Sequence, residues 1–134
     1  MAEAIQLEVA TPERAMVSAQ VTDVQVPVFD GYLGILPGHA PLVSLLGAGA
    51  LSYSAAGSRR YLAVQGGLLE VLPGHVRVLA NLAERAEDID VVQARADLDR
   101  ARREMYAATT GESSHSALEA VALAQARIAA AEGK

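Results

Sequence analysis

Three histidines, His39, His75 and His115, and several glycine clusters are the residues whose types invite chemistry. A metal centre on a helix takes ligands from His-x-x-x-His or from a Glu-x-x-His pair on one face. No segment that reads as helical carries such a pair, and His39 and His75 each follow Pro-Gly, which reads as a turn. No metal site is expected. Gly47-Ala48-Gly49 and Gly66-Gly67 lack the Lys-Ser/Thr of a phosphate loop and the strand-loop-helix unit of a dinucleotide site. They suit bends or close backbone approach in a sheet instead. No serine stands in Gly-x-Ser-x-Gly, and the chain has no cysteine, which removes thiolate nucleophiles, disulfides and cysteine-based metal sites together. The residues therefore compose no catalytic constellation, and the chain reads as a binding protein.

The segment that stands out runs from Asp30 to Val43, rich in Gly and Pro yet carrying Leu33, Ile35, Leu36, Leu42 and Val43. Two readings are open: a turn folded over a core, or an apolar loop offered to a partner. Composition narrows the partners. With 16 acidic against 11 basic residues the net charge is -5, which argues against a binder of nucleic-acid phosphates. The start of the chain, Met1-Ala2-Glu3-Ala4-Ile5, has neither a basic region nor an apolar run, and no stretch approaches the roughly 18 apolar residues of a membrane span. Direct membrane insertion is not expected.

The elements that position these residues change type near Ala83. All five prolines and nine of the 11 glycines precede it. There, apolar and polar residues alternate: Ile5, Leu7 and Val9; Val24, Val26 and Val28; Leu51 and Tyr53; Leu62 and Val64; Val76 and Val78. A period of two in short segments bounded by Gly, Pro, Asp and Ser predicts half-buried strands. Four Tyr, one Phe and no Trp leave the core to Val, Leu, Ile and Ala. The prediction is an antiparallel β-sandwich or barrel over residues 1–86. Leu36-Pro37-Gly38-His39 and Leu72-Pro73-Gly74-His75 repeat each other, and Pro-Gly suits the centre of a type II turn.

Residues 87–134 read as an antiparallel helical hairpin, making the whole chain α+β. Val91, Ala94, Leu98, Ala101 and Met105 form one apolar stripe, with Asp99/Arg103 and Arg100/Glu104 as i,i+4 pairs on the exposed side. The polar run Thr109 to Ser114 predicts a break, and Ser116-Ala117-Leu118-Glu119 has the form of a capping box opening a second helix with the stripe Val121, Ala124, Ile128 and Ala131. Two helices of about 16 residues would each be about 24 Å long. Stripes with four alanines among their nine residues bury little area, at about 25 cal/mol per Å², so a weakly docked, detachable hairpin is expected.

Three segments then carry a resemblance. Leu33 to Leu42 (LGILPGHAPL), Gln65 to Val71 (QGGLLEV) and Ala83 to Asp90 (AERAEDID) are similar, in order and spacing, to motifs of the epsilon subunit of F-type ATP synthases, the delta subunit in mitochondrial naming. The resemblance implies a ten-stranded sandwich followed by a helical hairpin, and a non-catalytic rotor subunit of the central stalk. It implies that the sandwich binds the gamma subunit and that Tyr32, Leu33, Gly34, Ile35, Pro37, Gly38 and His39 face the polar loops of the c-ring. Tyr32 departs from the acidic residue common there. The implied location is peripheral to the plasma membrane, on the cytoplasmic side of a bacterium. The reading set against it is a free-standing β-sandwich interaction module without a synthase role.

The resemblance also implies that an extended hairpin blocks ATP hydrolysis and that, in some members, ATP is a regulatory ligand of the folded hairpin. Glu84, Asp90 and Arg127 match that ATP motif, but Gln93 and Leu123 stand where arginines belong. No cofactor is required. Arg100, Arg102 and Arg103 have two readings: a solvated face paired with Asp97, Asp99 and Glu104, or cations that meet acidic surface on the alpha and beta catalytic subunits.

Overall fold

The structure is a computed structural model and describes residues 3–133. Eight strands come first: β1 Ile5–Ala10, β2 Ala15–Val21, β3 Asp23–Val28, β4 Gly31–Ile35, β5 Leu42–Leu45, β6 Ala48–Ala55, β7 Ser58–Leu72 and β8 His75–Arg85. A short 3-10 turn, Ala86–Asp88, leads into α1 Val91–Ala107 and α2 Gly111–Ala131. The alternation seen in the sequence puts Ile5, Leu7, Val9, Val24, Val26, Leu51, Leu62, Val64, Val76 and Val78 into one core, all buried.

The strands pair in the order β2-β1-β8-β7-β6-β3-β4, with β5 beside β7. β7 serves two layers. Its first half pairs with β6 from Ser58 to Gln65, and its second half pairs with β5 from Leu68 to Val71. Core-facing positions change parity between the halves, from Leu62 and Val64 to Leu69 and Val71. The change falls at Gly66 and Gly67, whose φ values of 67° and 118° are open to glycine and strained for other residues. β8 follows β7 around this corner, since the two pair in one register from Leu62↔Arg85 to Leu72↔His75. Each long strand thus contributes a segment to both layers, so the structure has eight strands where the resemblance implies ten, because β7 and β8 each run unbroken around the corner.

One pair departs from the all-antiparallel reading. β1 and β8 run parallel, from Gln6↔His75 to Ala10↔Leu79. Both Pro-Gly turns form as expected: Gly38 and Gly74 have φ of 85° and 70°, and the His39 N–H donates to the Leu36 carbonyl at 3.2 Å.

The hairpin differs from expectation at its second helix. Asp90 caps α1, its carboxylate accepting the Gln93 N–H at 3.0 Å. α2 begins at Gly111, five residues before the capping box at Ser116. Thr110 is the cap, its hydroxyl accepting the Ser113 N–H at 3.1 Å, and Glu112 sits in the first turn where the helix dipole favours an anion. Only Ala108 to Thr110 joins the helices. α2 is also two-sided: Ala126 and Ala130 pack on Ala50 and Ala63 of the sheet beside Ile89, while the helix also packs against α1.

Candidate partner interfaces

The layer of β1, β2, β5 and the β7–β8 hairpin leaves an apolar row in solvent. Leu45 pairs with Leu68, Leu68 with Leu79, and Leu79 with Ala10, so these side chains share one face across four strands. Leu45 is 64% exposed, Leu68 37% and Leu79 46%. With strands about 4.8 Å apart, the three leucines form a ridge about 10 Å across.

The next row is charged. Glu70 pairs with Arg77 and Arg77 with Glu8, and the Arg77 guanidinium lies 3.4 Å from each carboxylate. His75 Nε2 is 3.0 Å from Glu8. The His75 hydrogen bond and the Arg77 guanidinium hold the Glu8 carboxyl below its ordinary range, against a smaller opposing effect of desolvation. An apolar strip beside an ordered polar rim is the make-up of a protein interface.

The sequence-predicted loop residues divide. Ile35 is 1% exposed and belongs to the core, and Leu33 packs against that core. Tyr32 lies across β6: its hydroxyl accepts the Ala50 N–H at 3.1 Å, and a Cβ at Gly49 would stand 2.3 Å from that oxygen. Gly49 is the close approach that its sequence context suggested. Gly34 and Gly38 are exposed, Pro37 and His39 half-buried, and Leu36, which the resemblance did not single out, is 64% exposed. Leu36, Gly38 and His39 share a narrow crevice with Leu72, Gly74 and His75. The two repeated turns therefore sit side by side at one end of the sandwich.

Glu84 and Arg127 meet between sheet and hairpin. Arg127 Nε donates to Glu84 Oε1 at 2.8 Å, and its Nη1 donates to Asp97 Oδ2 at 3.4 Å. Gln93 Nε2 donates to Asp97 Oδ1 at 2.9 Å, and Arg100 pairs with the same oxygen. Asp90 is an exposed helix cap and lines neither cleft flanking Arg127. This donor set does not fit a triphosphate, because the guanidinium is committed to two carboxylates. Sequence reasoning named Asp97 only as a partner of the α1 arginines, as Arg100 bears out, and missed its bond to Arg127.

The arginines of α1 also divide. Arg100 takes Asp97 at i,i+3, and neither Asp99/Arg103 nor Arg100/Glu104 forms an ion pair among the described residues. Arg102 and Arg103 are exposed and carry no ion pair among those residues. The earlier start of α2 puts Glu112 and His115 three apart on a helix, contrary to expectation, with His115 Nε2 3.1 Å from Glu119. No group of three or more metal-ligating side chains forms among the described residues, and no helix there is long and apolar enough to cross a membrane.

Comparison with known proteins joins these features. Residues 4–86 match the family model of the ATP synthase delta/epsilon chain β-sandwich domain. The chain is 54% identical to the ATP synthase epsilon chain of Solibacter usitatus over the full length of both, and 48% identical to that of Carboxydothermus hydrogenoformans over 105 residues, 78% of each. In fold it is similar to a chain of the Euglena gracilis mitochondrial ATP synthase OSCP/F1/c-ring structure, with a TM-score of 0.82 and 21% identity, covering 92% of this chain and 78% of that one. A chain of the Tetrahymena thermophila mitochondrial ATP synthase central stalk/c-ring structure gives 0.63 at 14% identity, covering 92% and 96%. Sandwich, hairpin and full-length identity together make this chain a member of the ATP synthase epsilon-chain family, a non-catalytic subunit of the synthase.

Proposed function

We propose that this chain is the rotor adaptor of the central stalk, clamped to the gamma subunit by its sheet and resting on the c-ring by its turn end. The Leu45–Leu68–Leu79 ridge carries this reading, since it lies outside the surface covered by the hairpin and has a charged rim to set orientation. The c-ring end is the pair of Leu-Pro-Gly-His turns with Leu36 foremost, and Tyr32 acts there by bracing β4 rather than by charge. Such a placement puts the protein at the cytoplasmic surface of the plasma membrane. Residues 1–86 form the clamp and 87–134 the movable hairpin.

Arg102 and Arg103 favour the inhibitory reading of the hairpin over the solvated-face reading. With no ion pair among the described residues, they are available to meet acidic surface on the catalytic subunits when the hairpin extends. ATP is a poor regulatory ligand for the folded hairpin, because a triphosphate would have to strip Arg127 from Glu84 and Asp97 and then lie beside both. The ridge is tested by Leu68→Glu, which places a charge at its centre. Co-purification with gamma should fall at least about tenfold while the melting temperature stays near that of the parent. Undiminished capture of gamma would remove the ridge from the interface.

A further inference from the structure

We propose that Arg127 is an electrostatic latch that holds both helices to the sandwich and makes their docking sensitive to salt. The inference rests on reading the hairpin as movable and adds what holds it. Three elements converge on one guanidinium: α2, which carries it; β8, through Glu84; and α1, through Asp97. The Arg127 side chain is 19% exposed, the least of any in these pairs. Asp97 is held toward it by Gln93 and Arg100.

The apolar contact around the latch is built mostly from alanine. Ala126 and Ala130 meet Ala50, Ala63 and Ile89, with Tyr61, Ala129 and Ala131 partly buried against them, and the alanines bury little area to fix an orientation. α1 rests chiefly on α2, so what frees α2 frees both. Open clefts of about 220 and 370 Å³ flank the guanidinium, one lined by Asp97, Arg100 and Leu123 and the other by Ala63, Leu82 and Leu123. Water and counter-ions therefore reach the pairs from two sides. Screening shortens from about 10 Å at 0.1 M salt to about 3 Å at 1 M, enough to weaken pairs so placed.

The test is amide hydrogen exchange on the whole chain at 0.1 M and 1 M NaCl, with Arg127→Gln and Arg127→Lys beside the parent. Protection of β1 and β7 reports that each variant is folded. Exchange in α1 and α2 of the parent should rise about tenfold at high salt, and Arg127→Gln should show that rise at low salt with little further response. Arg127→Lys, which keeps the charge without the fork, should fall between. Helix amides that exchange faster than the sheet yet ignore both salt and Arg127→Gln would overturn the latch and leave a movable hairpin. Helix amides as protected as β1 under every condition would overturn the movable hairpin itself.

Discussion

Replacing Gly67 by alanine should destabilise the sandwich at the corner where one strand pair passes between layers. A Cβ built there would stand 2.0 Å from the Leu79 carbonyl oxygen and 3.0 Å from the Ala80 Cα, both backbone atoms of the paired strand. The φ of 118° adds strain that a side chain cannot relieve by rotating. Such a backbone conformation costs about 1–3 kcal/mol in a non-glycine residue, and overpacking costs about 1–3 kcal/mol more. The sum, about 2–6 kcal/mol, corresponds to a drop of at least about 8 °C in melting temperature at about 4 °C per kcal/mol. Gly34→Ala is the matched control, since a Cβ there meets nothing within 4 Å; its effect should stay within about 0.5 kcal/mol. Circular dichroism melts of the two variants decide the matter. Equal melting temperatures for Gly67→Ala and Gly34→Ala would refute the corner as described. The same substitution should also weaken gamma binding, because Leu68 and Leu79 take their places in the ridge from this corner.

Asp90→Ala should cost about 0.5–2 kcal/mol by removing the cap from α1, seen as faster amide exchange in the first turn of that helix. Millimolar ATP should raise the melting temperature by less than about 1 °C, since a ligand stabilises only in proportion to its occupancy of the folded state; a scanning-fluorimetry titration checks this. Glu8 gives a pH signature. Its folded-state carboxyl titrates below the ordinary value of 4.5, so its pairing with His75 and Arg77 adds stability above pH 4.5 that is lost as pH falls through the lower folded value. The melting-temperature gap between parent and Glu8→Gln should close as pH drops below 4.5.

The strands of the core were legible because burial of one face leaves a period of two, as in Ile5, Leu7 and Val9. β2 was not, since Ala15, Ser18, Ala19 and Gln20 blur the alternation, and its place depends on pairing with β1. The parallel β1–β8 pair joins residues about seventy apart, and no local pattern encodes it. In the second helix, alanines serve both the sheet and α1, so a single-stripe reading found Ala124 but not Ala117, Ala126 or Ala130. Its start was misplaced because Thr110 caps without the Glu at the third helical position that completes a capping box. Of the site, Glu84 and Arg127 were named through resemblance. Their pairing with each other and with Asp97 needed the fold, which sets β8 under α2.

The direct test of the rotor role is ATP synthesis by energised inverted membrane vesicles whose synthase lacks this chain, before and after purified protein is added back. Synthesis should be lost without the chain, return with the parent, and fail to return with Leu68→Glu. Full synthesis in its absence would contradict the account.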